Sequence, residues 1–135
     1  MTERIGGRQI YSTRTKWEFQ LGYSRAVRLG DVIRVSGTAG LGDNGEPVPG
    51  GPAAQMRRAL EIAQKALAEL GASFADVVQT RVYVKDATSI LDVAVIHGEV
   101  FREIRPATTI VQAGFVDPKI LVEIEMEAVV RSGSA

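Results

Sequence analysis

Cysteine is absent from this sequence, and histidine occurs only once, at position 97. Without cysteine the chain can have no disulfide framework, no thiol nucleophile and no cysteine-ligated zinc, and a reducing compartment is its natural setting. A single histidine also excludes a histidine-rich metal site. We therefore expect a cytoplasmic protein without a metal centre.

Long apolar runs and an excess of either charge are missing as well. The first ten residues, MTERIGGRQI, carry early charges and no apolar core, so we expect neither a signal peptide nor a membrane span. The 16 basic and 16 acidic residues give a formal net charge of zero, which argues against a broad surface for nucleic acid. A chain of 135 residues suffices for one domain with its own core, and we expect a single domain over residues 1–135.

The sequence alternates between strand and helix patterns. Residues 1–16 show no clear periodicity and predict an irregular or edge-strand lead-in, and residues 132–135 predict a frayed tail. The predicted elements between them are a hairpin over 23–38, a helix over 52–70, a strand over 77–84, a helix over 89–103, and two strands, 108–115 and 120–130, around the Asp117-Pro118 turn. This order favours an α+β fold, with one sheet and two helices packed on one face.

The last predicted strand, ILVEIEMEAVV, alternates apolar and acidic residues. Successive side chains of a strand point to opposite faces, so Glu123, Glu125 and Glu127 would share the face that the helices leave open. A solvated face is one interpretation. The other is a subunit interface, in which Arg34 and Arg81 would pair with the carboxylates, because an unpaired buried carboxylate is strongly destabilising.

The order of elements and several strings resemble the Rid family, also called the YjgF-like proteins, from about residue 18 to 131. The matching strings are GYSRAVRLG, VIRVSGTAG, AAQMRRALEIAQKALAELGASFADVVQTRVYVKD, RPATTIVQAGF and ILVEIEMEAVV. The resemblance implies a chorismate-mutase-like fold, a homotrimer, and ligand clefts between subunits. It also implies the activity of the best-known branch, which hydrolyses reactive enamines and imines to a keto acid and ammonia without a metal or organic cofactor.

One position departs from that branch. Its members hold the substrate carboxylate with an arginine directly after a Pro-Ala pair, whereas Pro106-Ala107 is followed here by Thr108. A threonine hydroxyl can donate one hydrogen bond but cannot form the bidentate, charge-assisted clamp of a guanidinium. The sequence thus resembles an arginine-less branch, which argues against typical deamination of 2-aminoacrylate.

The resemblance also implies roles for other residues. Tyr23 would flank the cleft, although a surface aromatic of the hairpin is the alternative. Ser36 and Gly37 would form the backbone-lined part of the site, where glycine allows a ligand to approach closely. Glu123 would be the glutamate associated with the water, and Glu125 is its rival because the ends of the strand are uncertain by one residue.

Two further candidates are Arg25 and His97. Arg25 could replace the missing anion anchor, or it could be an ordinary exposed arginine of a strand. His97 is the side chain whose ordinary pKa lies nearest neutrality, so it is the alternative proton carrier. A lone histidine on an apolar helical stripe is, however, more often a packed and hydrogen-bonded core residue.

Three functions are compatible with these residues. The first is cofactor-independent hydrolysis of a small imine or enamine in clefts between subunits, with Glu123 or His97 activating water. The second is a trimer that binds a metabolite without turnover. RNA binding or cleavage is the least favoured, because the net charge is zero and no RNA-binding aromatic motif is present. The expected partners are a small-molecule ligand and further copies of this chain, without a membrane.

Overall fold

The computed structural model describes residues 1–131, so the predicted tail at 132–135 lies outside the described residues. One sheet, three α-helices and two short 3₁₀ helices, Phe74–Asp76 and Ala87–Ser89, make up the regular structure of this part of the chain. The strands are β1 (Thr2–Ile5), β2 (Arg8–Tyr11), β3 (Ala26–Leu29), β4 (Val32–Ala39), β5 (Val77–Val84), β6 (Ala107–Gln112) and β7 (Val122–Val129). The helices are α1 (Lys16–Leu21), α2 (Gly51–Glu69) and α3 (Ile90–Phe101).

The elements predicted between residues 23 and 130 are all present, and the prediction of an α+β fold with a single sheet is confirmed. Of the two alternatives for residues 1–16, an irregular segment and an edge strand, the structure shows the edge strand. The first eleven residues form a hairpin of two strands at the edge of the sheet, and the Thr15 hydroxyl caps α1 by accepting from the N–H of Glu18 at 3.4 Å. The sequence pattern did not give the bounds of β1, because this strand is exposed along its whole length and needs no alternation of apolar residues.

The strand order is β1-β2-β3-β4-β7-β5-β6, and β5 and β6 are parallel whereas the other neighbours are antiparallel. The last two strands are therefore not neighbours, although the Asp117-Pro118 turn lies between them in sequence. The chain crosses over through α3, so β6 runs parallel to β5, and β7 then inserts between β4 and β5. This insertion places the glutamate-rich strand in the middle of the sheet.

The main core lies between the sheet and the helices α2 and α3. Val122, Ile124, Met126 and Ala128 are buried, and the intervening glutamates are partly exposed, as the alternation predicts. The end of β4 approaches α2 very closely: a Cβ added at Gly40 would lie 2.2 Å from the carbonyl oxygen of Gln55. Within residues 1–131, no helix is long and apolar enough to cross a membrane.

The opposite face of the sheet carries polar pairs between neighbouring strands. Arg34 Nε lies 3.0 Å from Glu127 Oε2, and Arg81 Nη1 lies 3.8 Å from Glu125 Oε2. The Tyr83 hydroxyl also donates a hydrogen bond to Glu125. Arg34 and Arg81 therefore pair with carboxylates of this face within the single chain, and each exposed pair contributes about 0.2–1 kcal/mol.

Candidate functional site

A cleft of about 630 Å³ opens beside the ends of β3 and β4, and the segment between β2 and α1 forms one of its walls. This volume lies within the range of roughly 300–1,000 Å³ that is typical of small-molecule sites. Four of the predicted site residues line the cleft: Tyr23, Arg25, Gly37 and Glu123. The fold therefore brings together residues that are up to 100 positions apart in the sequence.

Glu123 projects from β7 toward a bulge in β4. The pairing of the two strands shifts between Val35 and Thr38, and a Cβ added at Gly37, inside this bulge, would lie 2.8 Å from Glu123 Oε1. Glycine at position 37 thus makes room for the carboxylate. Burial raises the pKa of Glu123, and the charge of Arg25 opposes this rise only in part. Glu123 therefore retains its proton at a higher pH than an ordinary glutamate does.

Arg25 supplies a positive charge within the same cleft. Its Nη1 donates to the carbonyl oxygen of Gly37 at 3.2 Å, and its guanidinium carbon lies 5.6 Å from the centre of the Tyr23 ring. Its buried Nε has no hydrogen-bond partner among the described residues. A buried donor without a partner costs about 1–3 kcal/mol, so an anionic ligand that accepted this hydrogen bond would be favoured.

Ser36 does not line this cleft. Its hydroxyl donates to the carbonyl oxygen of Ser24 at 2.7 Å, and its backbone N–H donates to that of Arg25 at 2.9 Å. The residue borders a second cleft, of about 700 Å³, beside α1 and the first hairpin. Its side chain therefore joins β4 to the chain that precedes β3.

His97 and Thr108 form a second group with the buried Thr80. The Thr80 hydroxyl lies 2.8 Å from His97 Nε2 and 2.9 Å from the Thr108 hydroxyl. The His97 ring also packs against Phe101, with ring centres 4.6 Å apart. Burial lowers the pKa of His97, so the imidazole remains neutral to a lower pH than usual.

The two groups lie on opposite faces of the sheet. Thr80 pairs in register with Thr108 and with Met126, and Met126 belongs to the face that packs on the helices. Glu123 is an odd number of residues from Met126 in the same strand, so its side chain points to the other face. The single chain therefore does not bring His97 and Thr108 to the cleft of Glu123. Glu125, the predicted rival, does not line the cleft and instead contacts Tyr83 and Arg81.

A further charged residue near the cleft, Glu18, was not identified from the sequence. Its side chain is only 3% exposed, and it accepts hydrogen bonds from the hydroxyls of Ser12, Thr13 and Thr15. Burial alone would raise the pKa of Glu18, but these hydrogen bonds and the charge of Arg25 outweigh burial and lower it. The Thr15-x-x-Glu18 spacing, which is typical of a capping box, could have drawn attention to this residue.

No cluster of three or more potential metal-ligating side chains occurs in the part of the chain that the structure describes. The chemistry available in the cleft is that of a carboxyl group with a raised pKa beside a guanidinium. Such a pair can bind an anion and transfer a proton to or from it.

Most of this chain matches a known protein family. The model of the endoribonuclease L-PSP family matches residues 15–130. The chain belongs to this family, which is the YjgF/Rid family. The first hairpin of the sheet lies outside the matched residues. Helix α1 and the cleft residues Tyr23, Arg25, Gly37 and Glu123 lie within them.

Two solved structures of Rid-family proteins resemble this chain. Rv2704 of Mycobacterium tuberculosis, a member of the YjgF/YER057c/UK114 family, is 42% identical, with a TM-score of 0.83 over 91% of this chain and 99% of that protein. The YjgF gene product of Escherichia coli is 30% identical, with a TM-score of 0.73 over 81% of this chain and 88% of that protein. The single sheet with helices described above is therefore the fold of these family members.

One of the sequence relatives is named for a deaminase activity. The 3-aminoacrylate deaminase RutC of Acinetobacter baylyi is 34% identical over 76% of this chain and 82% of its own length. The uncharacterized protein SCO2049 of Streptomyces coelicolor is 36% identical over 83% of this chain and 84% of its own length. Deaminases thus occur in the family to which this chain belongs.

Proposed function

We propose that this protein hydrolyses a small imine or enamine that carries a carboxylate, without a metal or organic cofactor. The observation that carries the proposal is the placement of Glu123 and Arg25 in one cleft, where the carboxyl has a raised pKa and the guanidinium has an unpartnered N–H. The name of the relative RutC, a 3-aminoacrylate deaminase, supports this substrate class, since 3-aminoacrylate is an enamine with a carboxylate.

In the proposed reaction, Arg25 binds the substrate carboxylate and Glu123 acts as general acid and then as general base. Protonated Glu123 transfers its proton to the imine nitrogen, or to the carbon of the enamine to form the imine. Water then adds to the imine carbon, and the Glu123 carboxylate accepts the proton that the water loses. The proton on Glu123 then moves to the nitrogen of the carbinolamine, and the carbon–nitrogen bond breaks as the hydroxyl proton returns to Glu123, so that one imine and one water give one carbonyl compound and one ammonia.

The proposal includes assembly as a homotrimer with a chorismate-mutase-like arrangement and clefts between subunits. Two features support it: β6 is an edge strand whose outer side has no neighbour within residues 1–131, and the open face carries the polar pairs of Arg34 and Arg81. An exposed edge is usually covered in native proteins. In such an assembly, Thr108 at the start of β6 would reach the cleft of a neighbouring subunit, in the manner of an arginine-less branch.

The decisive experiment supplies imines and enamines generated in situ, with and without a carboxylate, and measures ammonia and the carbonyl product. We expect turnover of the carboxylate-bearing compounds, a large loss in Glu123→Gln, and a raised KM in Arg25→Met. Glu99→Gln is the matched control, because Glu99 pairs with Arg57 between α2 and α3, outside the cleft and away from the open face of the sheet.

Other outcomes contradict the proposal in different ways. Thermal stabilisation by these compounds without product would favour the alternative of a metabolite-binding trimer. Equal rates for the wild type and Glu123→Gln would remove Glu123 from the reaction. Cleavage of single-stranded RNA that stops in Glu123→Gln would instead support the endoribonuclease activity after which the family is named.

A further inference from the structure

We propose that Thr108 accepts a hydrogen bond from the nitrogen of the substrate, and that Thr80 and His97 hold its hydroxyl in the orientation that this requires. A chain of hydrogen bonds runs from His97 through the two hydroxyls to the carbonyl oxygen of Pro106. This role deepens the proposed function and rests on it for the place of Thr108 beside the cleft of a neighbouring subunit. The direction of the hydrogen bonds follows from the single chain alone.

Three contacts make up this chain of hydrogen bonds. His97 Nε2 lies 2.8 Å from the Thr80 hydroxyl oxygen. The Thr80 oxygen lies 2.9 Å from the Thr108 hydroxyl oxygen. Thr108 Oγ1 lies 3.1 Å from the carbonyl oxygen of Pro106 and donates to it. The two hydroxyls thus connect a titratable ring to a backbone carbonyl.

The carbonyl oxygen of Pro106 determines the direction of every bond in this chain. A carbonyl can only accept, so the single hydroxyl proton of Thr108 is donated to Pro106. Thr108 must then accept from Thr80, whose only proton is used in that bond. Thr80 in turn must accept from His97, so the imidazole carries a proton on Nε2.

The opposite direction leaves one of the three contacts without a proton. If His97 Nε2 carried the lone pair, Thr80 would donate to it and Thr108 would donate to Thr80, and no proton would remain for Pro106. Thr80 is 0% exposed, so its hydroxyl has to find its partners within the protein. Protonation of the ring adds a proton to Nδ1 and leaves the Nε2–H in place, so the direction is the same for neutral and charged His97.

The backbone holds both ends of the two hydroxyls in place. Thr108 pairs in register with Thr80 in the parallel ladder of β6 and β5, which sets the two side chains beside each other. Before this strand, Arg105 has a φ of 57°, and its N–H donates to the carbonyl oxygen of Phe101 at 2.8 Å. A left-handed residue of this kind ends a helix. It directs the chain from α3 into Pro106 and β6.

The hydroxyl of Thr108 can therefore only accept from a ligand. A hydroxyl oxygen has two lone pairs, and the proton of Thr80 occupies one of them. The other is available, because Thr108 is exposed at the start of the edge strand β6. An arginine at this position would donate to a carboxylate, whereas this oxygen would repel one and favours an N–H group.

This inversion assigns the two ends of the substrate. Its carboxylate binds Arg25, and its enamine or iminium N–H donates to Thr108 of the neighbouring subunit, which thus holds the nitrogen that leaves as ammonia. Thr108 is a specificity-determining residue. Thr80 and His97 are positioning residues, because they act on the substrate only through the Thr108 hydroxyl.

The first test measures which nitrogen of His97 carries the proton. His97 is the single histidine of the sequence, so the imidazole nitrogen signals of the isotopically labelled protein belong to it. Above the titration of the ring, we expect a protonated Nε2 and an unprotonated Nδ1, and the reverse would overturn the inference. The Nε2 signal should move in Thr80→Val and be retained in Thr80→Ser, and an unmoved signal in Thr80→Val would contradict the chain of hydrogen bonds.

The second test compares the affinities of two probes, β-alanine and propanoate, by calorimetry. Both carry a carboxylate for Arg25, but only β-alanine carries an N–H donor. We expect the wild type to prefer β-alanine, and Thr108→Val to lower this preference about tenfold, since a hydrogen bond to a charged group is lost. Thr108→Ser should keep the preference, and Thr108→Arg should reverse it in favour of propanoate.

Thr2→Val is the control, because it removes an exposed hydroxyl from β1, outside the clefts described above, and it should keep the preference of the wild type. An unchanged preference in Thr108→Val would overturn the inference, and so would equal affinities of the wild type for the two probes or no binding of either. These variants change an exposed side chain, so they remain informative should Thr80→Val unfold.

Neither test needs turnover, so the two proposals can fail separately. A protein that prefers β-alanine through Thr108 and has a protonated Nε2, but hydrolyses no carboxylate-bearing imine, would contradict the proposed function alone. Turnover combined with a His97 that carries its proton on Nδ1, or with an unchanged preference in Thr108→Val, would contradict this inference alone.

Discussion

Gly37 and Glu123 fit together so closely that no other residue type at position 37 leaves the carboxylate where it is. A Cβ added at Gly37 would lie 2.8 Å from Glu123 Oε1, which is shorter than a van der Waals contact. The bulge that contains Gly37 interrupts the pairing of β4 with β7, and bulges of this kind often re-aim a side chain beside a functional site. The backbone at this point thus determines where the proposed acid and base can lie.

Gly37→Ala tests this relationship. We expect the added methyl group to displace the Glu123 carboxylate, with a large fall in turnover and a changed titration of Glu123, but only a modest loss of stability. Gly98→Ala is the control, because a Cβ there meets nothing within 4 Å in the middle of α3. Alanine should stabilise that helix by about 0.5–1 kcal/mol. Full activity in Gly37→Ala would contradict the predicted dependence of turnover on the position of the Glu123 carboxylate.

The raised pKa of Glu123 predicts that this residue lowers stability at neutral pH. Its folded-state pKa exceeds the unfolded value, so its contribution to stability is complete below the unfolded pKa and is lost as the pH rises through the folded one. We therefore expect Glu123→Gln to be more stable than the wild type at pH 7, with the difference vanishing at about pH 4. Urea unfolding at several pH values measures the free energy of unfolding of both proteins. A Glu123→Gln variant that is less stable than the wild type at pH 7 would contradict this expectation.

The contribution of Glu18 to stability should depend on pH in the opposite way to that of Glu123. Its pKa is lowered in the folded state, so its contribution to stability is present above the unfolded pKa and is lost as the pH falls through the folded one. We expect Glu18→Ala to cost about 3 kcal/mol at pH 7, because three hydroxyls would lose their acceptor. Urea unfolding that shows a cost below 1 kcal/mol at pH 7 would argue against a structural charge at this position.

The buried Thr80 should be essential for the packing of His97. Thr80→Val keeps the shape but leaves His97 Nε2 and the Thr108 hydroxyl without this partner, and we expect a loss of about 1–3 kcal/mol. Thr2→Val is the control, since Thr2 is exposed on β1 and should change stability by less than about 0.5 kcal/mol. Denaturant unfolding of both variants measures the two changes in stability.

The lowered pKa of His97 adds a pH dependence to this group. Its contribution to stability is present above the unfolded pKa and is lost as the pH falls through the lowered folded one. Acidification from about pH 7 to 5 should therefore destabilise the wild type more than His97→Gln. Parallel pH profiles for the two proteins would show that His97 titrates freely.

Self-association should depend on the open face of the sheet. We expect sedimentation to give three times the chain mass of 14.5 kDa, and Val111→Asp to dissociate the assembly, because Val111 is 43% exposed on this face beside Tyr83. Leu91→Asp is the control, since Leu91 is 78% exposed on α3 and should leave the mass unchanged. A monomeric wild type would contradict both the trimer and the predicted interface.

The periodicity of the sequence was sufficient for most of the secondary structure and for the face of β7 on which Glu123 lies, whereas the role of Glu123 came from the family resemblance. Pro52 marks the start of α2, and the alternation in ILVEIEMEAVV separates the buried residues of β7 from its glutamates. These features are local, because burial of one face imposes a fixed period on a helix or strand. Residues 1–16 gave no such signal, since β1 buries neither face. Glu18, directly after them, is an isolated charge that no period marks as buried.

Only the tertiary structure determined which candidate site residues lie close together. The sequence determined that Glu123 faces away from the helices, but the strand order and the bulge at Gly37 place it beside Arg25 and separate it from His97. Strand order depends on contacts between residues distant in sequence, which no local period encodes. The alternation of apolar and acidic residues determined which face of the sheet each β7 side chain points to. The packing of the whole chain determined which residues lie beside it.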